Sequence, residues 1–171
     1  MQTPHIQRLI RRGRQKKKTL GAFLKKLKRA QPRNIMAMCR QADAEMWKEI
    51  DCLDCANCCK TMTPTFTKAE VKRIAAHFNL TYDQYFKKYL KIDDDNGDIV
   101  NINQPCQHLR KDNKCAIYAI RPGDCSGFPH HVRRDFWHQV SEKTYENNIP
   151  RCPATLTFLE KLENIVISGT V

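Results

Sequence analysis

A chain of 171 residues with nine cysteines and a formal charge of +12 has room for one domain and an appendage. It offers no run near the ~20 apolar residues of a membrane span and no apolar leader with a small-residue cleavage site, so the expected location is the reducing cytoplasm. Six glycines, none arranged as G-x-G, set aside a glycine-rich phosphate loop and any nucleotide cofactor.

The charge is unevenly placed. Residues 1–41 hold thirteen of the thirty Lys and Arg and no acid, leaving the remainder near neutrality. Residues 1–33 therefore read as a basic N-terminal arm and 34–171 as the cysteine domain. Within the arm, Leu20, Phe23, Leu24 and Leu27 recur at helical spacing among lysines, which predicts a short basic amphipathic helix ended by Pro32. The favoured reading of the arm is a solvated, partly disordered extension. Contact with nucleic acid, the ribosome or another anionic surface is the alternative, since clustered bases release counterions on meeting phosphate. No aromatic residue interleaves with the basic run Arg11 to Lys18, so stacking on single strands is not expected.

A second helix is expected over residues 34–50, with Met36, Cys39, Met46, Trp47 and Ile50 on one stripe and Cys39 as a core thiol. Then comes the densest stretch, Asp51-Cys52-Leu53-Asp54-Cys55-Ala56-Asn57-Cys58-Cys59. Thr67–Glu70 and Thr81–Gln84 are capping-box patterns that open two helices, the first with Val71, Ile74, Ala75 and Phe78 on one face. His77 beside them reads as a surface residue. Asp94-Asp95-Asn96-Gly97-Asp98 predicts one short hairpin turn, with positive φ at Asn96 and Gly97. The acidic run fails as a calcium loop: with Gly97 sixth, Ile92 stands first and Asn103 twelfth. A last helix is expected over 154–167, entered through Cys152-Pro153.

Cys106, Cys115, Cys125 and Cys152 follow the dense stretch in irregular sequence, Cys106 and Cys152 directly beside a proline that fixes local backbone and Cys125 three residues after Pro122. In a reducing compartment, thiols spaced two apart are metal ligands before they are disulfide halves. Eight thiols, Cys52, Cys55, Cys58, Cys59, Cys106, Cys115, Cys125 and Cys152, suffice for two tetrathiolate sites or one polynuclear centre of zinc or iron, a [4Fe–4S] cluster included. Vicinal side chains diverge, which points Cys58 and Cys59 at different metals or at a bridged centre. Thiols alone fill such sites, leaving His108, His130 and His131 outside the ligand set. Lys60, Lys114 and Arg121 are cations placed to offset thiolate charge. Cys152, at a helix N-terminus, is expected to have a lowered pKa.

The order Asp51-Cys52-x-x-Cys55-x-x-Cys58-Cys59, Pro105-Cys106, Cys115-x-Ile117-Tyr118-x-x-Arg121-Pro122-x-x-Cys125-x-x-Phe128-Pro129 and Cys152-Pro153 resembles the YkgJ-like cysteine-cluster family. The resemblance implies a zinc- or iron-chelating domain of cytoplasmic bacterial type with those eight cysteines as ligands. Some relatives are labelled flagellin N-methylase-like, which implies an enzyme as an alternative. Cys39 falls outside the pattern, and Ser126-Gly127 stands where relatives carry a basic and another polar residue. The fold expected is α+β but mainly α, a small domain whose irregular cysteine-bearing loops surround a metal centre, with one β-hairpin and a basic helical arm. Its role would be structural or electron-handling, with a nucleic-acid-associated module as a further alternative.

Overall fold

A computed structural model describes residues 3–132 and 135–169. In chain order its elements are α1 (Pro4–Ala30), α2 (Ile35–Met46), α3 (Cys52–Cys55), α4 (Asn57–Thr61), β1 (Thr65–Phe66), α5 (Lys68–His77), α6 (Tyr82–Tyr89), β2 (Leu90–Ile92), β3 (Ile99–Asn101), a 3-10 turn (Tyr118–Ile120), α7 (Gly123–Gly127), α8 (Phe136–Ser141), α9 (Thr144–Asn148) and α10 (Pro153–Ser168). The protein is mainly helical with a small three-stranded sheet. These elements form two compact units: Ala56–Phe128, and the residues up to Cys55 joined by those from Pro129 on. No helix among the described residues is long and apolar enough to cross a membrane.

In the discontinuous unit the basic segment is one 27-residue helix, longer than the expected short one and unlike a partly disordered extension. Thr3 Oγ1 accepts the Ile6 amide at 3.3 Å, and Pro4 supplies a preset φ at the first helical position. Gln31, left-handed at φ 42°, closes the helix ahead of Pro32. Its stability comes from packing, because Ile6, Leu20, Leu24 and Leu27 are each at most 3% exposed and such burial contributes roughly 1.5–3 kcal/mol per side chain. Those residues face the bundle of α1, α2, α8, α9 and α10. Gly13 allows the approach of α1 to the chain at Ile149: a Cβ there would collide with the Ile149 carbonyl.

Helix α10 lies at the centre of this unit. Its first half is buried all round, from Pro153 to Leu159, so a single apolar face describes only its C-terminal half. Helix α2 buries Ile35, Cys39, Ala42 and Met46. Cys39 is fully enclosed as expected, and burial pushes its thiol up to about 12. Trp47 departs from the expected stripe: it is 42% exposed, and its Nε1 donates to Asp43 Oδ2 at 3.1 Å.

In the continuous unit both predicted capping boxes form. Thr67 and Glu70 exchange hydrogen bonds at the start of α5, as do Thr81 and Gln84 at the start of α6. The helices pack Val71, Ile74, Ala75 and Tyr85 against Phe66, Leu90, Ile99 and Ile117. The expected hairpin is the β2–β3 pair, with Lys91 opposite Val100, and β1 adds a third antiparallel strand on the other edge of β3. The loop is wider than a two-residue turn. Asp93 bonds Asp98 across it, and Gly97 alone is left-handed, at φ 75°, so Asn96 does not share the positive φ expected of both.

Candidate metal centre

Five of the eight predicted thiols share the continuous unit. Ala56 adopts a left-handed φ of 49° that stops α3 and starts α4, placing Cys58 and Cys59 in the first turn of α4. The Cys59 carbonyl accepts the Cys106 amide at 2.8 Å, which ties the vicinal pair to the next thiol loop. That loop turns back at once: Leu109 bonds the Cys106 carbonyl, Leu109 bridges Cys115, and Ala116 bonds the His108 carbonyl. Cys125 sits in α7, whose first amide, Gly123, donates to Glu70 Oε1 at 2.7 Å. Asp124 Oδ2 accepts from the Thr65 amide at 3.2 Å, while Arg73 Nη2 holds the Ile120 and Arg121 carbonyls. Glu70 therefore caps α5 and anchors α7. Burial acts to raise its pKa, but the bonds from Gly123 and Thr67 together hold it below the usual carboxylate range.

Cys59, Cys106, Cys115 and Cys125 are electrostatically linked: Cys59 acts on the other three, Cys115 on Cys106, and both Cys106 and Cys115 on Cys125. Cys59 is the acidic member. The hydrogen bond from Cys58, with Lys60 and Arg121 adding positive potential, lowers it to about 7 against the effect of burial. Burial raises Cys106, Cys115 and Cys125, and a thiolate at Cys59 pushes each further in the same direction. A cation held among them would offset both the burial and the thiolate repulsion that raise Cys106, Cys115 and Cys125. The Tyr-x-x-Arg-Pro element has a physical role here. The Arg121 guanidinium lies 3.6 Å from the Tyr118 ring centroid and Nη1 donates to the Tyr118 carbonyl, fixing the cation that acts on Cys59 and Cys115. Arg110, which the sequence did not single out, acts on Cys115 with it.

The Sγ atoms of Cys58 and Cys59 lie 4.0 Å apart, so the vicinal side chains converge where divergence was expected. With Cα atoms ~3.8 Å apart, rotamer choice brings the sulfurs together. Two sulfurs held at ~2.3 Å from one tetrahedral zinc would stand about 3.8 Å apart, and the pair is close to that edge length. Among the described residues no three Cys, His, Asp or Glu side chains already stand in the geometry of a closed ion site. The donor set is soft thiolate with supporting cations, which fits zinc or iron.

His108 is engaged elsewhere. It is buried and stacks on Phe78, and its Nε2 lies 2.6 Å from Tyr85 Oη. Burial, with His77 nearby, lowers its pKa to about 4, while burial raises Tyr85 to about 12, so the bond joins a neutral phenol and a neutral imidazole. Nothing local in the sequence marks this pair.

The discontinuous unit carries the other thiols. Cys52, exposed, and Cys55, buried, stand at the two ends of the single turn α3. Cys152 caps α10, its Sγ accepting the Thr155 amide at 3.5 Å. The expected lowering of its pKa is overturned: the thiol is buried, and desolvation outweighs the hydrogen bonds of the helix terminus, so the pKa rises. His131 is likewise buried, with Nδ1 3.0 Å from Asp43 Oδ1 and Nε2 3.3 Å from Thr155 Oγ1. None of the nine cysteines is in a disulfide.

Residues 51–153 match the CxxCxxCC family, described as a "putative zinc- or iron-chelating domain". Among curated proteins, the uncharacterized protein MJ0661 of Methanocaldococcus jannaschii is 31% identical over 84 residues, 48% of this chain and 45% of its own length. The chain thus spans less than half of that relative. No solved structure matches.

Proposed function

Because the chain belongs to the CxxCxxCC family, we propose that it binds zinc or iron through cysteine thiolates in a structural or electron-handling centre. The observation that supports this most is the convergence of Cys59, Cys106, Cys115 and Cys125, beside Cys58, under the positive potential of Lys60, Arg110 and Arg121. Cys52, Cys55 and Cys152 complete the proposed ligand set. Zinc would supply a redox-inert cross-link, whereas iron or a [4Fe–4S] cluster would supply electron transfer. The chain's own part is to hold the soft donors, offset their charge through Arg121, and restrict water through the surrounding burial.

Anaerobic purification followed by elemental analysis and a visible spectrum tests the reading. Bound zinc in colourless protein, or iron in coloured protein, is the expected result, falling in Cys115→Ser and unchanged in Cys39→Ala. Metal-free protein after growth with both metals, or four mapped disulfides in fresh material, would refute it.

A further inference from the structure

The outer face of α1 is not used by the metal reading. At 3.6 residues per turn, Arg11, Arg14, Lys18, Lys25 and Arg29 fall in one sector about 60° wide and run roughly 27 Å along the axis. All five are exposed, and among the described residues no acid pairs with them. On the flank of the helix, Arg12 and Lys16 both reach Glu160, at 2.9 Å each. Those pairs and the close approach of Gly13 to Ile149 fix the rotation of the helix about its own axis, so the stripe is presented outward.

This face is not the composition of a merely soluble surface. Solvated helices mix charge signs at i,i+4, whereas Arg14–Lys18 and Lys25–Arg29 repel each other across one turn. The first turn holds no acid to complement the helix dipole. A bilayer is a poor partner, because insertion needs a free apolar face, whereas Ile6, Leu20, Leu24 and Leu27 are buried in the core and Leu9, Ile10 and Phe23 are half-buried. Single strands are a poor partner too, because the stripe carries no ring on which bases stack. Between Lys18 and Lys25 the bases pause for about 10.5 Å, close to the ~12 Å width of the B-form major groove.

We propose that α1 docks on the phosphates of a B-form DNA duplex, with Arg11, Arg14 and Lys18 on one rim of the major groove and Lys25 and Arg29 on the other. Recognition is of backbone, without base readout, since the helix is half embedded in its own unit and cannot enter the groove.

The full-length chain is titrated by fluorescence anisotropy against two 25-base-pair DNA duplexes of unrelated sequence, the matching RNA duplex, the single strand, and vesicles containing anionic lipid. Both DNA duplexes should bind alike and more tightly than the other probes. Log K should fall against log salt with a slope of about −4 to −5, as five phosphate contacts require. Lys25→Gln/Arg29→Gln should bring the slope nearer zero by about 2 and weaken binding at least tenfold at moderate salt, on the order expected for two lost contacts, with an unchanged circular dichroism spectrum. Equal or tighter binding to RNA, single strand or vesicles, sequence-dependent affinity, or an undiminished slope in the double variant would overturn the proposal.

Discussion

Replacing Gly13 by alanine should reverse the usual sign of a glycine-to-alanine change in a helix. In an unhindered helix interior the exchange gains about 1 kcal/mol. At Gly13 the added Cβ meets the carbonyl of Ile149 and comes within 3.5 Å of Pro150 Cα. These are backbone atoms that cannot swing aside, so α1 must shift off the chain it packs on. Overpacking of this kind costs typically 1–3 kcal/mol and sometimes more, which leaves a net loss of up to about 2 kcal/mol once the propensity gain is deducted. Gly21 is the internal control. A Cβ there would meet the carboxyl end of the Glu146 side chain at 3.3 Å, a group free to rotate away. Gly21→Ala should therefore be neutral or stabilising by up to about 1 kcal/mol. Thermal unfolding followed by far-UV circular dichroism separates the two, since about 2–4 °C accompanies each kcal/mol in a chain of this size. If Gly13→Ala melted at or above the temperature of Gly21→Ala, the reasoning about close backbone approach would fail.

Tyr85→Phe leaves His108 Nε2 buried without its hydrogen-bond partner and should cost about 1–3 kcal/mol, read from denaturant midpoints; a double-mutant cycle with His108→Phe showing no coupling would contradict the pairing. Leu159→Ala, at a fully buried position of α10, should lose roughly 2–5 kcal/mol and abolish folding at elevated temperature. The pKa of His131 is lowered by burial despite Asp43: the folded state favours neutral imidazole, so stability present above about pH 6.5 declines as pH falls, when the unfolded chain takes up the proton first. Denaturation midpoints at successive pH values should show that decline, reduced in His131→Gln. Glu70→Ala removes one end of a capping box and the partner of the Gly123 amide, and should cost on the order of 1–2 kcal/mol; a smaller loss than in Thr81→Ala would show that the tie to α7 adds nothing.

What the sequence made legible was local. Thr67–Glu70 and Thr81–Gln84 announce their helices because a capping box is satisfied within four residues, and the spacing of Cys52 to Cys59 declares thiol chemistry without any fold. The length of α1 was hidden, because Leu20, Phe23, Leu24 and Leu27 mark an apolar stripe only in its second half. The burial of Ile6 and Gly13 depends on α10 and on Ile149, more than a hundred residues away. The behaviour of Cys152 was misjudged for a related reason: its place at a helix terminus is written in Cys152-Pro153, but the desolvation that outweighs it is set by distant packing. Donor count alone leaves His108 and His131 outside the expected ligand set. Their partners, Tyr85 and Asp43, lie far off in the chain and carry no motif.

The anchoring of the thiol loops has a practical consequence. Cys106 is held by its own backbone amide, Cys125 by the Glu70 and Asp124 carboxylates, and the 3-10 turn between Cys115 and Cys125 by the Arg73 guanidinium; no sulfur takes part in these ties. A cysteine-to-serine series in this unit therefore changes the donors while leaving these ties intact, and a far-UV circular dichroism spectrum of each variant separates one sulfur's contribution to metal affinity from the collapse that follows ligand loss in domains folded by their metal.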